Sequence, residues 1–354
     1  MIDIDFEKLR RIGLAQAIAS RLPELAHAFA PGTVLGRITE VQRDSFTLHD
    51  GARERRARAL LRVAQALHAG GDALAIGDWV LATPDEHGEP WIHERIAPVT
   101  QVARRANDGR RQVLASNVDT ALLVMGLDTD FNLRRMERYV AIVRAAGVAP
   151  VVVLTKADIG AREQVRLMYD RLPATIPVIA VDGTSAAART ELAPWLAPGC
   201  TLVLLGASGA GKSTLTNTLL GDAVQDTGAV RRGDGRGQHT TTARSLHLCS
   251  TGACIIDTPG LRTWRPDADA QALAGTYDDV QSLALQCRFR DCSHQGEPGC
   301  AVQPGVPEDR LRNLQKLMRD AQRTEMSALD RIEQRKKWKR LHKAGAVRAR
   351  DKRR

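Results

Sequence analysis

The chain has 354 residues, of which 26% are charged and 43% are hydrophobic, with a formal net charge of +10 at pH 7. This length predicts two to three domains, and the sequence contains no apolar run near the roughly 20 residues that a membrane-spanning helix needs. The acids Asp3, Asp5 and Glu7 also depart from the basic start of a signal peptide, so we expect a cytoplasmic protein without membrane contact. We also expect a monomer.

The first third of the chain predicts a helical extension followed by a small β-domain. In residues 1–32, apolar side chains recur at loosely helical spacing from Leu9 to Leu22. Between residues 33 and 100, short β-like runs alternate with turn signals at Thr33–Val41, Ser45–His49, Ala57–Arg62, Asp78–Thr83 and Trp91–Ile96. These strands suit an OB-type barrel, a fold that often binds oligonucleotides, although a purely structural β-domain would show the same pattern.

Residues 101–266 alternate predicted strands with predicted helices. The apolar strands are Thr120–Met125, Ala149–Leu154, Pro177–Val181, Thr201–Leu205 and Ala253–Ile256. The helices include Asn132–Ala146 and Thr214–Leu220. This order predicts a parallel sheet with helices on both faces, and such sheets bind ligands beyond the carboxyl ends of their strands.

A glycine-rich loop follows the fourth of these strands and matches the phosphate-binding pattern G-x-x-x-x-G-K-[ST]. In such a loop the backbone N–H groups surround the β-phosphate, Lys212 reaches the β- and γ-phosphate oxygens, and Ser213 ligates Mg²⁺. Lys212 is therefore also a candidate catalytic residue. The predicted nucleotide-binding residues of the loop are Gly206, Ala207, Ser208, Gly209, Ala210, Gly211, Lys212, Ser213 and Thr214.

The second strand ends in a form of the guanine-reading motif [NT]-K-x-D. Its residues are Thr155, Lys156, Ala157 and Asp158. A carboxylate at Asp158 can accept hydrogen bonds from guanine N1–H and from the exocyclic amine, groups that adenine does not offer. Together with a phosphate loop in the same sheet, the motif predicts a guanine nucleotide. Ser185 and Ala186, after the third strand, are candidates for supporting the base through backbone N–H groups.

The fifth strand runs into Asp257-Thr258-Pro259-Gly260, which matches D-x-x-G. In this element Asp257 would hold Mg²⁺ through water as part of the catalytic apparatus, and Gly260 would sense the γ-phosphate. The Gly/Arg-rich stretch 230–244 precedes it, and we expect this stretch to be a mobile switch in which Thr240 or Thr241 completes the Mg²⁺ shell. Because the base motif precedes the phosphate loop, the motif order is a circular permutation of the usual GTPase order.

Leucine stands at position 261, immediately after D-x-x-G, where many GTPases have the glutamine that orients the attacking water. Leu261 cannot make that hydrogen bond, so we expect slow intrinsic hydrolysis. His239, in the predicted switch, is the candidate catalytic residue for positioning the water. A histidine that only orders the loop or contacts rRNA fits the sequence equally well.

Three cysteines and one histidine lie within 14 residues in the C-terminal part of the chain, at Cys287, Cys292, His294 and Cys300. Three thiolates and an imidazole form a ligand set typical of closed tetrahedral Zn²⁺ sites. Because a cytosolic chain disfavours disulfides, we expect one structural zinc ion. A catalytic zinc ion and free thiols are the alternatives.

Residues 331–354 form a basic tail with twelve Lys or Arg and two acids, and this tail accounts for the whole net charge. Such a tail suggests contact with a polyanion, because neutralising phosphates releases condensed counterions. A tail that only improves solubility has the same composition. Trp338, within the tail, could stack on a base or pack against the preceding helix.

With these motifs in one order, the chain resembles the circularly permuted ribosome-biogenesis GTPases of the RsgA (YjeQ) family. The motifs that carry the resemblance are GDWV at 77–80, ASNVD at 115–119, TKAD at 155–158, GASGAGKST at 206–214, GQHTTT at 237–242, DTPG at 257–260 and CRFRDCSHQGEPGC at 287–300. The resemblance implies an OB-fold, a permuted GTPase domain and a zinc domain. We expect a helical extension over 1–32, the OB-fold over 33–100, the GTPase domain over 101–266, and a helical zinc-binding domain with the basic tail over 267–354.

The resemblance also implies a function. It implies a GTPase that binds the small ribosomal subunit and its rRNA late in the maturation of the subunit. With Mg²⁺ this enzyme would hydrolyse GTP to GDP and phosphate, and it would do so faster when the subunit is bound. A rival hypothesis is an rRNA-binding assembly factor for which the nucleotide is a structural or switch ligand. Leu261 favours the rival, whereas Lys212, Ser213 and Asp257 favour the enzyme. A P-loop ATPase rests on the phosphate loop alone and is opposed by Asp158.

Overall fold

The structure, a computed structural model, describes residues 4–43, 45–106, 108–159, 162–221, 244–261 and 264–325. The chain divides into two compact units, residues 1–264 and 265–354. In the described ranges, no helix combines enough length with enough apolar character to cross a bilayer. The predicted switch residues 230–243 and the basic tail with Trp338 lie outside the described residues.

The N-terminal segment is helical, as its spacing predicts, and it covers one side of a barrel. It contains helix α1 (Phe6–Arg11), helix α2 (Gln16–Ala19) and a 3₁₀ turn over Leu22–Ala28. The Asp5 side chain accepts a hydrogen bond from the backbone N–H of Lys8 and caps α1. The buried apolar residues of this segment pack against the barrel residues Leu35, Trp79, Leu81 and Ile96.

A closed five-stranded barrel follows, which confirms the OB-type prediction. Its strands are β1 (Val34–Val41), β2 (Phe46–His49), β3 (Glu54–Ala59), β4 (Trp79–Pro84) and β5 (Pro90–Arg95). Strand β1 pairs with both β2 and β4, β5 joins β4 to β3, and only the β3–β5 pair is parallel. The expected strand Ala57–Arg62 is wrong in its second half. Helix α3 (Leu61–Ala69) begins there, because this segment consists mainly of strong helix formers and buries Val63.

The second half of this unit is a six-stranded sheet. Its strands are β8 (Thr120–Gly126), β9 (Ala149–Thr155), β10 (Val178–Ala180), β11 (Thr201–Gly206), β12 (Ser245–Leu248) and β13 (Cys254–Asp257). They lie in the order β10-β9-β8-β11-β13-β12, and all neighbours are parallel except β12 with β13. The predicted parallel sheet is confirmed, and its sixth strand, β12, is antiparallel to β13 and was not predicted from the sequence.

Helices cover both faces of this sheet. They are α4 (Leu133–Ala145), α5 (Arg162–Arg171), α6 (Ala187–Leu192) and α7 (Lys212–Leu220). Helices α6 and α7 pack over buried side chains of β8, β9 and β11, while α4 packs against β8 and β9. An antiparallel hairpin of β6 (Gln101–Arg105) and β7 (Arg111–Ser116) precedes the sheet and was not predicted.

Arg37 joins the N-terminal segment, the barrel and the sheet. Its guanidinium is fully buried and donates hydrogen bonds to the carbonyls of Ile12, at 2.6 Å, and Asn117, at 3.1 Å. It also donates to the hydroxyl of Thr201, the first residue of β11, at 2.9 Å. Strand β1 further pairs with β12 at Glu40 and Ser245. The barrel therefore has a fixed position relative to the strand that carries the phosphate loop.

The regular elements of the C-terminal unit, over its described residues, are helices. It contains α8 (Ala270–Ala274), α9 (Asp278–Ala284), α10 (Val302–Gly305) and α11 (Glu308–Glu325). Arg310 of α11 makes a bidentate ion pair with Asp279 of α9 at 2.9 and 3.0 Å, and its guanidinium stacks over the ring of Tyr277 at 4.9 Å. These contacts connect α11 to α9, and the Cys/His-containing segment lies in the chain between α9 and α10.

A buried carboxyl group links the barrel to hairpin β6–β7. Asp78 has no exposed surface and accepts a hydrogen bond from the backbone N–H of Ala75 at 2.8 Å. Arg95 lies 3.6 Å from Asp78 and bonds Asp72 at 2.7 Å, and Asp72 in turn pairs with Arg111 of the hairpin at 2.9 Å. Burial raises the pKa of Asp78 to about 6, although Arg95 opposes the shift.

We expect Asp78→Asn to remove one pH-dependent contribution to stability. Because the folded-state pKa of Asp78 is raised from 3.8 to about 6, the folded protein binds more protons than the unfolded chain between these values. The contribution of Asp78 to the free energy of unfolding therefore decreases as pH rises through this window. As pH rises from the lower to the upper end of this window, the free energy of unfolding of the variant should therefore increase relative to that of wild type by on the order of 2–3 kcal/mol.

Urea denaturation across the window measures this difference. Asp170→Asn, at an exposed position on α5, is the matched control and should follow the wild-type curve. Parallel stability curves for wild type and Asp78→Asn would contradict the assignment.

Candidate functional site

The predicted nucleotide motifs meet at one edge of the sheet. Strands β8, β9, β11 and β13 run parallel, so the loops that follow them emerge on the same side. These loops contain residues 127–132, the TKAD motif, the phosphate loop and the DTPG motif. Motifs that are separated by up to about a hundred residues in the chain therefore form one cluster, as expected for a nucleotide site of this fold class.

The phosphate loop bends sharply between β11 and α7. Gly206 allows close packing, because a Cβ at this position would collide with the carbonyl oxygen of Val124. Gly211 has φ of +91°, a conformation that favours glycine, and helix α7 begins directly after it at Lys212. The loop therefore leads into a helix N-terminus, where backbone N–H groups can face an anion.

Lys212 lies inside this loop and is only 6% exposed. Its ammonium group donates hydrogen bonds to the carbonyls of Gly206, at 3.2 Å, and Ala207, at 2.9 Å. Burial lowers the pKa of Lys212, while the nearby Asp257 and Asp130 carboxylates oppose this shift. The side chain is thus a cation held by neutral acceptors beside two acids, an arrangement suited to binding phosphate.

The DTPG motif contacts the phosphate loop directly. The Thr258 hydroxyl donates to the carbonyl of Leu204 in β11 at 2.6 Å, and Asp257 is fully buried at the end of β13. A Cβ at Gly260 would come within 2.6 Å of the backbone nitrogen of Ser208, so only glycine allows this approach. The DTPG motif and the phosphate loop are therefore in direct contact.

Leu261 packs into the interior of the unit. Its side chain is 4% exposed, and its backbone N–H donates to the carbonyl of Gly206 at 2.9 Å. The hydroxyl of Tyr139 lies 3.5 Å from the Leu261 carbonyl, and the Tyr139 ring packs against Trp264 at 5.2 Å between centroids. The Leu261 side chain is therefore part of the hydrophobic core and offers no polar group for orienting water.

The TKAD motif is fixed to the phosphate loop by two side chains. The hydroxyl of Thr155 donates to the carbonyl of Ala210 at 2.6 Å. The ammonium group of Lys156 donates to the carbonyl of Gly209 at 3.1 Å. Asp158 is exposed, as a base-reading carboxylate must be to meet a ligand. The base motif and the phosphate loop thus form one continuous surface.

Asp128 is a site residue that the sequence analysis missed. Its carboxylate lies 2.5 Å from the ammonium group of Lys156 and accepts a hydrogen bond from the backbone N–H of Asp130 at 3.0 Å. Although partial burial opposes it, hydrogen bonding to Lys156 lowers the pKa of Asp128. One signal was available, because Asp128 lies two residues after the end of β8, at the edge where ligands bind.

Ser185 and Ala186 lie in the turn after β10, next to the TKAD loop. The backbone N–H of Ala157 donates to the carbonyl of Val181 at 3.2 Å and joins the two segments. The hydroxyl oxygen of Ser185 accepts a hydrogen bond from the backbone N–H of Ala187, the first residue of α6, at 3.2 Å. The structure brings this pair near the base motif, whereas His239, Thr240 and Thr241 lie outside the described residues.

A second candidate site, in the C-terminal unit, is the Cys/His cluster. The ligand atoms of Cys287, Cys292, His294 and Cys300 all lie within 4.8 Å of one another. His294 Nδ1 is 3.7 Å from the Cys287 sulfur and 3.5 Å from the Cys300 sulfur, and the backbone N–H of Ala301 donates to the Cys287 sulfur at 3.4 Å. Four convergent ligands at this spacing could hold one metal ion.

Comparisons with known proteins agree with this arrangement. Residues 96–266 match the family model described as RsgA GTPase. The "small ribosomal subunit biogenesis GTPase RsgA 2" of Vibrio vulnificus is 42% identical over 263 residues, which cover 72% of this chain and 74% of that protein. The "small ribosomal subunit biogenesis GTPase RsgA" of Xanthomonas oryzae pv. oryzae (strain MAFF 311018) is 46% identical over 241 residues, which cover 67% of this chain and 65% of that protein, just under two thirds of its length.

Two solved structures share the fold. The crystal structure of YjeQ from Thermotoga maritima superposes with a TM-score of 0.59 at 20% identity, over 82% of this chain and 98% of that one. YloQ, described as a circularly permuted GTPase, superposes with a TM-score of 0.56 at 18% identity, over 83% of this chain and 97% of that one. At these identities the likeness supports the fold, including the permuted strand order.

We expect Asp128→Ala to weaken guanine nucleotide binding on the order of tenfold, because Lys156 loses the anion that orients it beside the phosphate loop. Asp128→Asn retains an acceptor oxygen and should recover part of the affinity. Titration with fluorescent GDP gives the dissociation constants. Asp108→Ala, which removes an exposed acid from the β6–β7 turn, is the control. An unchanged affinity in Asp128→Ala would show that Asp128 does not position Lys156.

Proposed function

Because the chain belongs to the RsgA GTPase family, we propose that it binds the small ribosomal subunit late in its maturation and hydrolyses GTP to GDP and phosphate there, in the cytoplasm and as a monomer. The observation that carries this proposal is the meeting of TKAD, the phosphate loop and DTPG at one sheet edge. The names of its relatives supply the ribosomal subunit as the partner.

The proposed roles follow from the chemistry of each residue. Lys212 neutralises the β- and γ-phosphates, and Ser213 ligates Mg²⁺. Asp257 holds the same ion through water, and Asp158 reads the guanine edge. The proposed nucleotide site consists of Thr155, Lys156, Ala157, Asp158, Ser185, Ala186, residues 206–214, Asp257 and Gly260, with Thr240 or Thr241 completing the Mg²⁺ shell.

Water positioning must come from a residue other than 261. Leu261 is apolar and buried, so position 261 does not supply the glutamine that usually orders the attacking water. We assign this role to His239, brought into position when the subunit binds. The same observation favours the rival function, an rRNA-binding factor that uses nucleotide as a structural or switch ligand.

The barrel offers a surface suited to RNA. Arg56 and Arg58 lie exposed on β3, and Arg58 is in register with Trp91 of β5. The Arg58 guanidinium lies 5.9 Å from the Trp91 ring centroid, and Glu89 holds it at 3.1 Å. Trp91 is partly exposed, and arginines beside a partly exposed aromatic ring can bind phosphates and stack on bases. This supports an RNA-binding domain over 33–100, between the extension 1–32 and the GTPase domain 101–266.

Hydrolysis with and without small ribosomal subunits tests the function. We expect slow basal GTP turnover and an increase of at least tenfold at saturating subunits, because subunit binding supplies the missing order around the water. Lys212→Ala should abolish turnover under both conditions, while Arg166→Ala on α5 should behave like wild type. Binding of subunits without any stimulation would favour the rival function.

We also propose that the Cys/His cluster holds one structural Zn²⁺ within a domain over 267–354. Three thiolates and one imidazole leave no open position at a tetrahedral ion, so the metal would stabilise the fold and take no part in hydrolysis. The Cys287 sulfur already accepts a hydrogen bond from a backbone N–H, a contact typical of metal-bound thiolates.

Metal analysis of the purified protein tests the zinc proposal. We expect about one zinc per chain in wild type and near none in Cys292→Ser, because three ligands retain the ion weakly. The variant should also melt at a lower temperature. Cys200→Ser removes a thiol outside the cluster and should keep its zinc. Full zinc content in Cys292→Ser, or none in wild type, would contradict the proposal.

A further inference from the structure

We propose that a pocket beside the DTPG motif binds a phosphate group of RNA through Arg244, and that this contact couples RNA binding to the nucleotide site. The inference rests on the proposed function. The pocket has a volume of about 220 Å³ and lies between β1 of the barrel, the segment before β4, strand β7 and the DTPG loop. Its lining includes Val41, Ile76, Val113, Arg244 and Pro259.

Arg244 is a partly buried cation without a compensating anion in the part of the chain that the structure describes. Its Nε atom is fully buried and has no hydrogen-bond partner there. The charge that acts on its pKa is that of a second cation, Arg104 of β6, whose Nε donates a hydrogen bond to the neutral side chain of Gln112 at 2.9 Å. Burial and Arg104 both lower the pKa of Arg244. An uncompensated guanidinium next to another cation favours binding of an anion.

The shape and lining of the pocket select the class of anion. Its volume is several times the roughly 30 Å³ that one water occupies, so a phosphate group fits together with a few waters. Apart from Arg244, the lining residues in the described part of the chain are apolar, and no carboxylate among them competes for the guanidinium. The planar fork of arginine matches two phosphate oxygens, which makes a phosphate the best-fitting partner.

The position of the pocket favours RNA as the source of this phosphate. One wall is the barrel, for which we propose RNA binding, and Arg104 on β6 adds positive charge at the same place. A chain of phosphates that runs along the barrel surface brings a high local concentration of anions to the pocket. Free phosphate would have to bind without these additional contacts.

Arg244 is connected to the nucleotide site by short segments of backbone. It immediately precedes β12, whose first residue, Ser245, is in register with Asp257 of β13. In the sequence, Arg244 also stands three residues after Thr241, a candidate Mg²⁺ ligand. Pro259 of the DTPG motif lines the pocket itself. A phosphate bound here would therefore restrain both segments that we propose to contact Mg²⁺ and the γ-phosphate.

The test compares two variants of Arg244 with one control. Arg244→Met keeps side-chain length and removes the charge, and Arg244→Lys keeps the charge and removes the planar fork. Arg166→Met removes an arginine whose side chain is 74% exposed on α5. For each protein, affinity for small ribosomal subunits is measured against salt concentration, and GTP turnover is measured with and without subunits. Thermal melting verifies that each variant is folded.

We expect Arg244→Met to lower the slope of log affinity against log salt by about one, because one phosphate contact is lost. The ratio of stimulated to basal turnover should fall on the order of tenfold in Arg244→Met and less in Arg244→Lys. Arg166→Met should keep both the slope and the ratio. If Arg244→Met does not fold, a reduced ratio in Arg244→Lys at unchanged salt slope still supports the proposal.

Two results would overturn the inference while leaving the proposed function intact. The first is wild-type stimulation and salt slope in a folded Arg244→Met. The second is a combination of two observations. Inorganic phosphate below millimolar concentrations stabilises wild type thermally but not Arg244→Met, and Arg244→Met keeps the wild-type salt slope. This combination would identify free phosphate as the ligand. Failure of the proposed function looks different, because wild-type turnover would then not respond to subunits.

Discussion

The buried guanidinium of Arg37 is the interaction on which the architecture of residues 4–264 depends. Burying this charge costs several kcal/mol, and the cost is offset by hydrogen bonds to acceptors that are all neutral. The acceptors belong to the N-terminal segment, the barrel and the sheet, so removing any of these three parts leaves some of the buried guanidinium N–H groups without an acceptor. Gly13 is required beside it, because a Cβ there would collide with the guanidinium.

The hydrogen bonds of Arg37 help to explain how a permuted order of motifs along the chain still yields a compact site. Arg37 bonds Thr201 at the start of β11, and the phosphate loop lies at the other end of the same strand. The base motif and DTPG then attach to that loop through Thr155, Lys156 and Gly260. Because all these contacts depend on spatial proximity, the order of the segments along the chain is irrelevant to the site.

The structure also separates nucleotide binding from water activation. Groups that can bind phosphates and a guanine base surround the sheet edge, whereas Leu261 occupies the core at the position where a water-orienting side chain would stand. A site that binds well and hydrolyses slowly keeps its nucleotide until another molecule completes it. The Arg244 pocket lies on the barrel side of DTPG, where a bound RNA could provide that control.

The sequence alone determined the features that depend on short spacing. Glycine, lysine and serine in the phosphate loop, the TKAD and DTPG motifs, and the Cys/His cluster each act within a few residues. Short β-like runs between turn signals located the barrel strands, and apolar runs located the parallel strands. Only the tertiary structure decided the rest, because those contacts join residues far apart in the chain. Asp128 meets Lys156 across 28 positions and Arg37 meets Thr201 across 164, and no local pattern encodes such pairs. The short strand β12 and hairpin β6–β7 likewise form by pairing with partners and carry little local signal of their own.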